Sequence, residues 1–125
     1  MVENLQKTDV KGRDISRPID QMEFDGQMHD LAFDLNAFRI AEDVYELHYN
    51  RNLNFLHIVQ HLINGKLSAI MAVLYGALCS GGLNIEWEEF SRKFRLIDVP
   101  GVEEKLMENI KKVLPEADEQ AKDPR

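Results

Sequence analysis

His57 and His61 are the first residues whose types and spacing could do chemistry. Four positions apart on a helix-patterned stretch, they share a face. That is the spacing of the two zinc ligands on a zincin helix. Such a helix also needs a Glu directly after the first His as general base, and Ile58 stands there instead. A third ligand and an open coordination position would complete a catalytic zinc. The pair therefore reads first as half-exposed histidines beside a core, with a small metal-dependent enzyme built on His57 and His61 as the alternative. His29 and His48 have no spacing that recruits them. Glu42, Asp43 and Glu46 form a second cluster, but acids along one helix face are ordinarily solvated. Paired-acid catalysis needs carboxylates facing across a cleft in unlike environments. Gly81-Gly82 is followed by neither Lys nor Ser/Thr and follows no strand, so it is not a phosphate loop. Cys79 lies in an apolar stretch and reads as a small hydrophobe. No serine or cysteine occupies a nucleophile-elbow context. The expected inventory is thus no catalytic, cofactor-binding or metal-binding residue, and no enzyme.

Composition narrows the class further. The chain has 125 residues and a net charge of −7, from 15 basic and 22 acidic side chains. An acidic surface gains nothing from counterion release on a phosphate backbone, which argues against nucleic-acid binding. A helix-turn-helix reading around Gly81-Gly82 fails on charge as well. Its reading helix, IEWEEFSRKF, carries three acids toward the end where base contacts are made. One cysteine allows no intramolecular disulfide, which fits a reducing compartment. The longest apolar run, Leu67 to Cys79, is too short to span a bilayer. The N-terminus lacks the apolar stretch of a secretory signal. A cytoplasmic protein with no membrane partner is expected.

The elements that must position any site begin at Met22. Asp25-Gly26 is a two-residue hairpin signal, because a type I′ turn needs positive φ at both central positions. That turn pairs Phe24 with Gln27 and Met22 with His29. Met22, Phe24, Leu31 and Phe33 then share one face, and Glu23 and Asp30 the other. A first helix is expected over about Leu35–Tyr49, capped by Asp34, with Leu35, Phe38, Ala41, Tyr45 and the row Ile40, Val44, Leu47 following the helical period. A second runs over about Leu53–Asn64, with Gly65 as its left-handed stop. A third, with Ser68 as cap, runs to about Ser80 and has hardly any polar face, so it forms the core. A short fourth helix, about Ile85–Phe94, takes Asn84 as cap. A fifth covers about Val102–Leu114, with Pro100 where first-turn prolines are tolerated. The fold class is mainly α: a bundle of four to five helices with an N-terminal β-hairpin. The domain spans 18–114, and polar, aperiodic segments 1–17 and 115–125 are expected to be flexible.

Three segments together resemble the tail assembly chaperone family of long-tailed bacteriophages, prophages and gene-transfer agents. Leu31-Ala32-Phe33-Asp34-Leu35-Asn36-Ala37-Phe38, with Glu42 following, is similar to the family's strand entering "F-D-L-N-A-L" and then a helix. Ile70-Met71-Ala72-Val73-Leu74-Tyr75-Gly76-Ala77-Leu78 resembles its "L-R-A-L-L-W-A-G-L" helix. Ile85-Glu86-Trp87-Glu88-Glu89-Phe90 resembles the short "T-x-E-E-V-G" helix that comes next. Order and spacing match over about 18–114. Met71 stands where the family often has Arg, Gly76-Ala77 inverts the small pair, and Ser91 stands where Gly is frequent. The resemblance implies a non-enzymatic factor of virion morphogenesis in the host cytoplasm, absent from the finished tail. Its implied partners are the tape measure protein and the tail tube protein, and self-association is compatible with that role.

Such a chaperone must expose hydrophobic area to hold an apolar helical partner. The candidates for partner binding are Met28 on the outer hairpin face, Phe55 and Leu56 after the Asn-rich break, and Met71 and Tyr75 on the over-apolar third helix. A host helical adaptor or regulator unrelated to phage is the remaining alternative.

Overall fold

Asp25 and Gly26 take φ values of 55° and 82°, the conformation that a type I′ turn demands. Around them β1 (Asp20–Phe24) and β2 (Gln27–Leu31) pair antiparallel, with Phe24 opposite Gln27 and Met22 opposite His29. The computed structural model describes residues 20–113. The segments 1–17 and 115–125, expected to be flexible, lie outside the described residues. Among the described residues five α-helices follow the hairpin: α1 (Leu35–His48), α2 (Phe55–Ile63), α3 (Leu67–Ser80), α4 (Trp87–Lys93) and α5 (Val99–Val113). A short 3-10 turn, Leu96–Asp98, leads into α5. The chain is mainly α with an N-terminal hairpin, and no helix among the described residues is long and apolar enough to cross a membrane.

The middle of the fold is α3, which touches β2 and all four other α-helices. Ala69, Ile70, Ala72, Val73, Leu74, Gly76, Ala77 and Leu78 are all buried on it, which is why its sequence has almost no polar face. It runs antiparallel to α1. Tyr45 and Tyr49 near the end of α1 meet Ser68 at the start of α3, and Asn36 at the start of α1 meets Ser80 at its end. The two helices come so close at Gly76 that a Cβ there would run into the backbone carbonyl of Ala37. Only glycine permits that approach. The hairpin is fastened to the same helix, because the Ala32 N–H donates to the Ala77 carbonyl at 3.1 Å. A Cβ at Gly81 would likewise strike the Asp30 carbonyl.

Two caps are as expected. Asp34 accepts from the Ala37 N–H at 2.9 Å, satisfying one of the orphan donors at the start of α1. Gly65 has φ +75° beyond α2. Others differ. The helix α2 begins at Phe55 rather than Leu53, because Asn54 caps it by accepting from the His57 N–H. Ser68 does not cap α3. The connection from α2 is so short that Lys66 occupies the cap position, and Ser68 instead offers its carbonyl and hydroxyl to the two tyrosines of α1. Asn84 does not cap α4, whose cap position is Glu86. The Tyr75 hydroxyl donates to the Ile85 carbonyl at 2.8 Å, tying down the non-helical residue that precedes that position. The last helix starts at Val99, three residues early, and takes Pro100 into its first turn, where a missing N–H breaks no helical bond. Leu35 and Leu47 are 83% and 74% exposed, so they flank the buried stripe of Ala37, Phe38, Ala41, Val44 and Tyr45 rather than belong to it.

Candidate interaction surface

The histidine pair is split by its surroundings. His57 is exposed, while His61 lies stacked along Tyr45, with ring centroids 6.5 Å apart and planes inclined at 21°. Burial, followed by the nearby positive charges of Lys66 and Arg51, holds the His61 pKa below its ordinary value. The imidazole is therefore mainly neutral at pH 7 and packs as an aromatic ring. Among the described residues no three His, Cys, Asp or Glu side chains converge as a metal ion would require.

The five partner-surface candidates fall into two kinds. Met28 and Leu56 are open, at 62% and 61% exposure. Met28 stands opposite Glu23 on the outer face of the hairpin, and Leu56 stands at the start of α2. Phe55, Met71 and Tyr75 are only partly exposed and pack against the core. Phe55 tilts onto Phe38 of α1 with ring centroids 5.5 Å apart. Tyr75 is embedded in an aromatic cluster, 5.3 Å from both Trp87 and Phe90. Burial, and then the neighbouring Cys79, pushes its phenol well above the usual range. Trp87 continues the cluster outward, stacking on His48 at 5.4 Å and meeting Tyr49 edge-on at 5.9 Å. Burial, then Tyr45, pushes the Tyr49 phenol up to about 12. Burial also pushes the Cys79 thiol up, so it is protonated at neutral pH and a poor nucleophile.

The geometry offers exposed apolar side chains around a packed aromatic interior. No family model, no curated protein and no solved structure matches the chain. Leu35, Leu47, Leu67 and Ile97 add open apolar area that the sequence pattern had not marked. For Leu35 and Leu47 the signal was present, since each lies to one side of the stripe centred on Ala41 and Tyr45. Ile97 sits in the 3-10 turn, where helical periodicity says nothing.

Proposed function

We propose that this protein is a non-enzymatic tail assembly chaperone that binds the tape measure protein and tail tube subunits in the host cytoplasm during phage or prophage tail morphogenesis. One observation carries the reading: the three segments that resemble the family form a single packed unit. Asp34 of the first accepts the Ser80 hydroxyl just beyond the second, at 2.6 Å. Ala32 bonds to Ala77, and Ala37 lies against Gly76. Trp87 and Phe90 of the third close over Tyr75 of the second. Residues scattered along the sequence in the family's order are thus mutually dependent in space, which chance similarity of apolar runs does not require.

The binding role is supported by Met28, Leu56, Leu35, Leu47 and Ile97, large apolar side chains left open on an acidic domain. Such side chains can cover an amphipathic helix of a partner. The test is co-expression with whichever tape measure and tail tube proteins the same genome encodes, followed by purification on either partner. Leu56→Ser should weaken co-purification with an unchanged melting temperature. Phe55→Ser and Tyr75→Ser should also lower the melting temperature, because both rings pack on the core. If neither partner co-purifies with the unaltered chain, the assignment is wrong.

A further inference from the structure

The hairpin has two edges, and they are treated differently. On the β2 side, the Asp30 carbonyl lies against Gly81 and the Ala32 N–H is bonded to Ala77, so the end of α3 covers that edge. Among the described residues the β1 side has no such cover. With Phe24/Gln27 and Met22/His29 as the hydrogen-bonded pairs next to the turn, the N–H and C=O of Glu23 point away from β2. Alongside runs a groove of about 650 Å³, lined by Met22–Gly26 on one wall and by Lys93, Phe94, Arg95 and Asp98 on the other. Residues from both faces of β1, and none from β2, line it. It therefore follows the open backbone edge.

Charge selects what fits there. Lys93 is held by Asp25 at 2.7 Å and Glu89 at 3.0 Å. Arg95 is held by both carboxylate oxygens of Asp98, each at 3.2 Å. The two cations of the groove are thus already matched. Glu23, exposed at the middle of the edge, makes no side-chain hydrogen bond or ion pair among the described residues. We propose that this edge accepts an extended segment of a partner protein as a third strand, with a Lys or Arg facing Glu23. Backbone pairing to Glu23 supplies the register, and the unmatched carboxylate supplies the preference. This site is independent of the phage reading and would stand without it.

The test uses the full chain and three short capped peptides of alternating Thr and Val, with Lys, Gln or Glu at the central outward position. Binding is followed by NMR, together with hydrogen exchange at the Glu23 amide. The Lys peptide should slow exchange at that amide and bind about three- to tenfold tighter than the Glu peptide at low salt, the contrast shrinking as salt rises. Glu23→Lys should reverse the order of the peptides. Glu23→Pro removes the outward N–H without touching the ladder to β2, and should abolish binding by all three. Unchanged exchange at Glu23 with every peptide overturns the proposal, and so does a Lys preference that survives Glu23→Lys. A carboxylate placed only to keep the edge from pairing predicts another outcome: no peptide binds, and Glu23→Gln makes the chain self-associate. That result too would refute strand addition.

Discussion

Replacing Gly76 by Ala tests the central contact of the fold. In an isolated helix this change stabilises by about 0.8–1.0 kcal/mol, because glycine has the greater backbone freedom to lose. Here the added methyl group would run into the Ala37 carbonyl across the α1–α3 seam. The obstacle is backbone, not the end of a flexible side chain, and Ala37 itself is 1% exposed. The helices must therefore separate, loosening Phe38, Ala41 and Val73 along with the seam. Overpacking of this kind costs about 1–3 kcal/mol, and a rigid obstacle belongs at the top of that range. Subtracting the helix-propensity gain leaves a net loss of about 2 kcal/mol, or roughly 8–16 °C in melting temperature for a domain this small. Gly101 is the internal control, lying exposed in the first turn of α5, where an added Cβ would meet nothing within 4 Å. Gly101→Ala should stabilise by about 0.4–1 kcal/mol through the unfolded state. Thermal and urea unfolding followed by circular dichroism gives both values. If Gly76→Ala melts at or above the unaltered protein, the close approach is absent and the reasoning fails.

Leu74, fully buried on α3, should lose about 2–5 kcal/mol on change to Ala, and a change below about 0.5 kcal/mol in urea unfolding would mean that α3 faces outward. Asp34→Ala removes the cap of α1 and the acceptor for Ser80, and should cost about 1–2 kcal/mol, with Asp34→Asn recovering part of it in the same assay. Asp20 gives a pH dependence: burial raises its pKa, but hydrogen bonds from Asn109, the Gln21 N–H and Lys105 outweigh that and hold it below its ordinary value. A depressed carboxylate adds stability above its unfolded pKa and loses it as pH falls through the lower folded value. The stability gap between the protein and Asp20→Asn should therefore be flat from about pH 5 to about pH 7 and close below about pH 4; a gap that widens on acidification would contradict the assignment.

The hairpin was legible because its turn chemistry is local: Asp25-Gly26 both specifies the register and places Met22 and Phe24 inward. The buried α3 was legible because a helix with no polar face has few other places to go. Helix starts were less legible, since the competition is settled across the fold. Asn84 is a good cap by type, yet the Tyr75 hydroxyl reaches Ile85 and holds the chain non-helical beyond it. Ser68 is a good cap by type, yet two tyrosines of α1 claim it. The Asp20–Asn109 contact had no sequence signal at all, because the residues are 89 positions apart and each is an ordinary surface type. Of the candidate surface, Met28 and Leu56 were readable as apolar residues off the core stripes. The packing of Phe55 and Tyr75 depends on Phe38, Trp87 and Phe90, on other elements.

A two-stranded ribbon is marginal by itself in water, so what fastens this one decides whether its edge can act. Five contacts from three different helices hold it. The Ala32–Ala77 backbone bond ties it to α3. The Phe24 ring stacks on Phe90 of α4 at 5.4 Å, and Lys93 at the end of α4 grips Asp25 of the turn. At the other end Asp20, on the inward face, receives hydrogen bonds from Lys105 at 3.1 Å and from the buried Asn109 at 3.0 Å, both on α5. Both ends of β1 are therefore held, while no described residue covers the outward backbone groups of Glu23 between them. A strand pinned in that way is already in the conformation a third strand requires, so little ordering entropy opposes docking. Breaking the Asp20 anchor should then weaken the Lys peptide without touching Glu23: in Asp20→Asn, exchange at the Met22 amide, which is bonded across to β2, should quicken in the free protein, and peptide affinity should fall with it. Undiminished affinity in that variant would mean that the edge does not depend on its anchors.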